Sequence, residues 1–348
     1  MRSTIQRRIL AIWTAIACVT LLAACGSGNT SGSGGQQGTQ TLRIMTLNPI
    51  VSTDYLNLLA DHLGLFAQNG IKAKFVSSAD PISPLVAGDI DIANVGANGL
   101  IPVSQGRSLT FLASPMQHPS VALMVRRDSP LAAAAHRWPQ AISQLKGLKV
   151  GTTTASGVIQ QTAIYLATLA NLTPGKDVTV VPAGNANTLV AGLERGDYDA
   201  GLVPSPLFET IQSQGRGVSL LDIYKGEGPG GDAFLIPWWT PAVTRDFYQN
   251  NPTVASGYQK SIQQALDYAR DPAHEKDIEE FVAGRLNVDP KTLTTSINTF
   301  VQTLKPSGEY AQAQWTSALA MMQKNGVITR ELSYADYVAP WNGGGPHT

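Results

Sequence analysis

At 348 residues, with 25 basic and 25 acidic side chains, the chain is electrically balanced, which leaves no polyanion footprint and argues against nucleic acid as a partner. Its 43% hydrophobic content can bury a large core, and the length exceeds the usual single domain, so two lobes are expected. Both cysteines, Cys18 and Cys25, stand near the amino terminus, so the rest of the chain carries no disulfide, no cysteine metal ligand and no thiol nucleophile.

The first segment reads as an export signal. Arg2, Arg7 and Arg8 precede an apolar run from Ile9 to Ala24, too short for a confident membrane span. Leu22-Ala23-Ala24-Cys25 closes that run and resembles the bacterial lipobox, which implies cleavage before Cys25 and lipidation of its thiol. Cys18 lies in mid-run and fits processing less well, whereas Cys25 opens directly onto a Gly/Ser-rich stretch that reads as a flexible tether over residues 25–40. Removal of residues 1–24 takes away three arginines and no acid, leaving 22 basic and 25 acidic groups. The expected location is extracytoplasmic, lipid-anchored to the bacterial cell membrane.

After the tether, short β-branched runs alternate with helical periodicity, the pattern of an α/β fold with mostly parallel strands. Leu42–Thr46 reads as a strand, Asp54–Gln68 as a helix with Leu58, Leu59, Leu63 and Phe66 on one face, and Ile71–Val76 as a second strand. Ser83–Ala87 is a short helix, Ile90–Val95 a third strand, Asn98–Gln105 helical and Leu109–Ser114 a strand. Val121–Arg126 is extended, and the rhythm restarts: strands at 147–151, 178–181 and 198–203 alternate with helices at 157–170, 187–195 and 207–214. The order over 42–114 thus recurs over 148–214. Phe234–Trp238 is extended, and 252–330 is almost wholly helical, with stops at Pro272, Pro290 and Pro306.

Motifs of catalysis are missing. His62, His118, His136, His274 and His347 are scattered singly, without a metal-ligand spacing, and no G-x-S-x-G elbow or phosphate loop occurs. No metal, cofactor or catalytic residue is therefore assigned, and the chain is not expected to be an enzyme. Gly226-Glu227-Gly228-Pro229-Gly230-Gly231 matches a dinucleotide fingerprint only formally, because Pro229 interrupts it and no helix follows to receive a pyrophosphate. It reads as a surface loop.

Strand-to-helix turns carry the positive signal, since ligands of open α/β sheets bind beyond the carboxyl ends of the strands. Asn48, Ser52, Thr53 and Asp54 follow the first strand, Ser77, Ser78 and Asp80 the second, and Gly96–Gly99 the third. Thr152–Gly157, Gly184–Asn187 and Pro204-Ser205-Pro206 are their counterparts in the second block. Helix capping explains any one of these residues equally well. Six such turns in two similar blocks point further, to a ligand.

Four segments carry a family resemblance in order. Ala60-Asp61-His62-Leu63-Gly64-Leu65-Phe66-Ala67-Gln68-Asn69-Gly70-Ile71 is similar to the LGLFxxxGL element of substrate-binding proteins of the nitrate/sulfonate/thiamine-pyrimidine class of ABC importers. Leu85–Ala93 resembles its LxxGxIDxA, Leu145–Gly151 its DLKGKxVG, and Leu193–Ala200 its LxxGxVDA. The resemblance covers roughly residues 42–330. It implies a two-lobe type II periplasmic-binding architecture: lobe 1 from 41–125 and 232–330, lobe 2 from 126–231, each a mostly parallel sheet flanked by helices, with a helical C-terminal region and a tail at 331–348. The crossings then fall near Val121–Arg126 and Phe234–Trp238.

Ligand-facing candidates that follow from the resemblance are Asn48, Ser78, Asn98, His118, Thr153, Ser156, Asn185, Ser205 and Trp238, with Tyr55 and Trp239 as further aromatic walls. The turns carry no fixed cation apart from His118, which weakens nitrate as a ligand. Helix N-termini and the Thr152–Thr154 hydroxyls suit a sulfonate, whereas Asp80, Glu209 or Asp232 would suit an amine or protonated pyrimidine. The implied function is capture of a small organic solute by lobe closure and delivery to an ABC permease, with the protein acting as a monomer. Two alternatives remain: an enzyme on the same fold, of the pyrimidine- or menaquinone-precursor-synthesis type, and an exported sensor subunit.

Overall fold

The computed structural model describes residues 39–155, 157–230 and 235–344. The expected signal segment with Cys25, together with Ser156 and Asp232, lies outside the described residues. Residues 38–348 group as one compact unit, and no helix among the described residues is long and apolar enough to cross a membrane.

Ten strands form two α/β halves. In the first, β1 (Gln40–Thr46) runs parallel to β2 (Ile71–Ser77), with Ile44 opposite Phe75. An isolated parallel bridge from Ile44 to Ile92 joins β1 to the strand leading into β3 (Ala93–Asn94). β10 (Pro241–Thr244) lies antiparallel between β3 and β4 (Leu109–Phe111). The second half is a five-stranded sheet in the order β7 (Thr179–Pro182), β6 (Lys149–Thr152), β8 (Ala200–Pro204), β5 (Val121–Arg126), β9 (Gly217–Leu221). Here β6 is parallel to β7 and β8, and β5 runs antiparallel to β8 and β9.

Each half therefore has the same plan, parallel strands plus one antiparallel strand delivered by the chain arriving from the other half. β5 is the outgoing strand and β10 the return. The sequence reading places the return at Phe234–Trp238, but the paired strand is Pro241–Thr244. Its residues Ala242 and Val243 are buried, whereas 235–240 form no strand, although Val95 N donates to Thr240 O and Ala97 N to Pro237 O, each at 3.0 Å. β9 is absent from the sequence reading because Gly217 and Ser219 interrupt its apolar pattern; Gly217 stands there because a Cβ would meet Ile211 at 2.5 Å. The expected helix 54–68 is broken at Gly64, whose φ of +69° suits glycine, into Tyr55–His62 and Leu65–Gln68.

The helical C-terminal region packs chiefly on the first half. Tyr258 Oη donates to Asn57 Oδ1 at 2.7 Å, and Gln259 Nε2 to the Leu112 carbonyl at 2.8 Å, both from the helix Pro252–Arg270. It also straps the outgoing crossing: Ser114 N donates to Gly308 O, Gln117 N to Thr303 O, and Gln314 Nε2 to Met116 O, all at 2.8 Å. Contacts also reach the second half: Asn325 Nδ2 donates to the Gln161 carbonyl at 2.9 Å and to Gln161 Oε1 at 3.0 Å, and Thr299 bonds the Glu209 carboxylate.

Candidate functional site

A cleft of about 370 Å³ opens where the carboxyl ends of the strands of both halves converge. From the first half it is lined by Leu47–Pro49 and Val51–Thr53 after β1, Ala79–Ile82 after β2 and Asn94–Gly96 with Asn98 around β3. The second half contributes Thr153, Thr154 and Gly157–Ile159 after β6, Gly184–Ala186 after β7 and Pro204 at the end of β8. Ser120 and Trp238 enter from the two crossings.

The turn after β1 in the first wall is buried from Val51 onward. Asp54 accepts hydrogen bonds from the Leu47 and Val51 amides, each at 3.1 Å, and so ties the turn after β1 into a fixed loop. Burial raises its carboxyl to a pKa of about 7, the two amides opposing that shift. Thr53, on the same turn, carries a buried hydroxyl with no partner among the described residues. Gly96 has φ +50°, and a Cβ there would stand 3.1 Å from the Trp238 carbonyl. That close approach, with Ala97 N donating to Pro237 O at 3.0 Å, seats the return segment and brings Trp238 to the cleft.

The second wall is more open and presents helix ends. The helix Val158–Leu169 begins at the cleft with Gly157 as its N-cap and no capping side chain among the described residues, so its first amides and the positive end of its dipole lie at the opening. Thr153 and Thr154 flank it. The helix Ala186–Arg195 also starts there but is capped, Asn185 Oδ1 accepting from Thr188 N at 3.0 Å.

Hydrogen bonds join the walls at the floor. Ser52 and Ser120 share a hydroxyl bond of 2.7 Å, and Ser52 N donates to Ser205 O at 3.3 Å. Ser205 N donates to Ser120 O at 3.0 Å, and its hydroxyl to Glu209 Oε1 at 2.8 Å. Glu209 is held at a pKa of about 7, raised by burial and, to a lesser degree, by Asp222, against bonds from Ser205, its own amide and Thr299. Its Oε2 is buried and unpartnered among the described residues.

Of the residues expected to face the ligand, Asn48, Asn98, Thr153, Asn185 and Trp238 line this cleft together. Ser78 does not; its hydroxyl donates to the Asp80 carbonyl at 2.8 Å, and Asp80 takes the cleft position. Ser205 lies beneath the lining, as do Tyr55 and Trp239 in the core. His118 is also outside it, its ring against Gly226 and its pKa lowered by burial. Ser120 and the apolar Pro49, Val51, Pro81, Ile82, Val158 and Ile159 went unsingled in the sequence; Ser120 directly precedes β5, and that position is the available signal.

Asp80 is the only charged residue lining the cleft among the described residues. Partial burial pushes its pKa up, but bonds from the Ser83 hydroxyl and the Ile82 and Ser83 amides outweigh this and keep it below the ordinary carboxylate value. No Lys, Arg, His or Cys joins the described lining. The cleft can grip a polar head with amides and hydroxyls and cover an apolar body, and it offers no evident nucleophile–base pair.

Residues 55–287 match the family model of the ABC transporter, phosphonate, periplasmic substrate-binding protein. No curated protein sequence matches the chain. Among solved structures it is similar to the alkanesulfonate-binding protein SsuA of Xanthomonas axonopodis pv. citri bound to MOPS, with a TM-score of 0.70 and 16% identity over 88% of this chain and 99% of that one. The nitrate-binding protein NrtA of Synechocystis PCC 6803 aligns with a TM-score of 0.63 and 14% identity over 83% and 81% of the two chains. The desulfurization enzyme DSZB shares the fold as well, with a TM-score of 0.62 and 16% identity over 86% and 96%. At these identities the structures speak to the fold alone.

Proposed function

We propose, for a chain that belongs to the phosphonate-type family of ABC-transporter periplasmic substrate-binding proteins, that it captures a small organic solute with a sulfonate-type head and delivers it to an ABC permease. The observation that carries the reading is the N-terminus of the helix Val158–Leu169, without a capping side chain among the described residues and flanked by Thr153 and Thr154, opening on a cleft whose other wall presents Val51, Pro81, Ile82 and Trp238. Amides and hydroxyls suit a singly charged oxyanion without a fixed cation, and the apolar wall suits an organic body. A volume of about 370 Å³ is also generous for a bare inorganic anion. The neighbour bound to MOPS, itself an alkanesulfonate, is consistent with this chemistry.

Trp238 and the absence of a basic lining residue favour a second reading, a neutral heteroaromatic such as a pyrimidine. Family membership supports a binding protein; DSZB shows that the same clamp can host chemistry, so the enzyme alternative is weighed by the site. The lobes would be 41–125 with 232–330, and 126–231, closing by rotation about the two crossings. Lipidation at Cys25 would hold this clamp beside its permease, and Cys25→Ser would release the protein from the membrane.

Thermal denaturation of the full-length protein against alkanesulfonates, phosphonates, pyrimidines and nitrate tests the proposal, since a ligand of the folded state alone raises Tm with concentration. A saturable rise with an organic sulfonate is expected, and little with nitrate. No rise with any organic class, or turnover of one of them, would sink it.

A further inference from the structure

Away from the cleft, three side chains far apart in sequence meet at the base of the return crossing. His136 follows the 3-10 turn Pro130–Ala134, Asp222 stands directly after β9, and Glu227 follows the turn Ile223–Lys225. Each brings one ligand atom to within 4.8 Å of the others. His136 Nδ1 lies 2.9 Å from Glu227 Oε2 and 3.0 Å from Oε1, and Glu227 Oε2 also accepts from the Asp222 amide at 2.7 Å.

Asp222 is the unusual member. It is 5% exposed, its Oδ2 is held by Lys225 Nζ at 2.8 Å, and its Oδ1 is buried with no hydrogen-bond partner among the described residues. A buried carboxylate oxygen without a donor is costly, and a cation is one way to satisfy it. His136 holds φ +60° and donates its amide to Leu220 O at 2.7 Å, which fixes its backbone beside the end of β9.

We propose that His136, Asp222 Oδ1 and Glu227 form a site for a divalent transition-metal ion of the Zn2+ type. One imidazole nitrogen and two carboxylate oxygens make a borderline donor set that suits Zn2+ and leaves the fourth position to water. Tetrahedral coordination wants neighbouring ligand atoms about 3.4 Å apart. The adjustment this requires, which includes widening the 2.9 Å between His136 Nδ1 and Glu227 Oε2, falls on His136 and Glu227, whose side chains are 48% and 30% exposed. Lys225 stays on the opposite oxygen of Asp222 and orients it. A bound ion would fasten the start of the return segment to the five-stranded sheet, at one of the two crossings about which the halves are joined.

Calorimetric titration of Zn2+ alone into chelator-stripped, full-length protein tests the site. One ion per chain is expected. His136→Asn, which tolerates the positive φ, and Asp222→Asn should each weaken binding by at least about tenfold with unchanged circular dichroism. Lys225→Gln, by removing a cation next to Asp222, should strengthen it. Should Asp222→Asn fail to fold, Glu227→Gln takes its place. Absence of saturable binding, or an affinity indifferent to these substitutions, overturns the proposal.

Discussion

The two walls of the cleft are built by the same βα rule and end in different states. On the first, every residue from Val51 to Ala60 is buried, Asp54 locks the turn through two amides, and Gly96 lets the return segment press in until Trp238 is 4% exposed. On the second, Thr153, Thr154, Gly157 and Val158 are only half-buried, and the helix they introduce has no capping side chain among the described residues. One wall is finished before any ligand arrives. The other keeps its donors in reserve, which is what a clamp closing on a solute needs from one jaw.

That contrast can be broken or sharpened by experiment. The largest effect is expected from Trp238→Ala, which empties a buried aromatic site on the finished wall and should cost about 3–5 kcal/mol of stability by denaturant unfolding, along with most of the ligand affinity. An unfolding midpoint unmoved by this change would mean that Trp238 is not part of a preformed wall.

Next comes pH. Glu209, at the floor, has its pKa raised from 4.5 to about 7, so the folded state binds the proton more tightly than the unfolded state does. Its contribution is complete below pH 4.5 and disappears as pH rises through about 7, so stability should fall between those values by about 3 kcal/mol. Asp54 acts in the same direction. Glu209→Gln should flatten the profile; the same slope in that variant would remove Glu209 as its source.

Thr153→Ala combined with Thr154→Ala, on the open wall, should lower affinity for a sulfonate by about thirtyfold while Tm stays within a degree or two, since each hydroxyl is worth about 1 kcal/mol to a charged head. A loss of stability without loss of affinity would make the turn structural. Smallest is Asn185→Ala, which removes a cap worth about 1 kcal/mol and should scarcely change binding, because its carbonyl oxygen is already committed to Thr188. If affinity drops as it does for the threonines, Asn185 belongs to the ligand after all.

Much of the fold was legible in the chain. The alternation of β-branched runs and 3.6-residue periodicity placed β1, β2, β5 and β6 and the helices after β1, β2 and β6 within a few residues, because those segments alternate clearly between apolar runs and polar turns; the short helical turns after β5 escaped. Glycine-interrupted β9 and the approach to β10 also escaped, since their pairing is set by partners remote in sequence. At the site, Asn48, Asn98, Thr153 and Asn185 were readable as residues that follow strands. Ser78 and Ser205 share that pattern, yet local bonds to Asp80 and Glu209 draw their side chains elsewhere.

The histidines show the same boundary. Nothing in the spacing of 136, 222 and 227 signals a cluster, and His118, singled out for its position past a strand end, packs against Gly226 instead of facing the cleft.

By itself, then, the sequence determined an α/β chain with two repeated blocks, polar turns at strand ends and an amino terminus read as an anchored export signal, because periodicity, turn chemistry and motif order are local properties. Only the tertiary structure decided which turns face one another, where the one lining charge lies, which jaw is more buried and where a histidine meets two carboxylates. Those depend on strands delivered across from the opposite half, and long-range pairing leaves no mark in local composition.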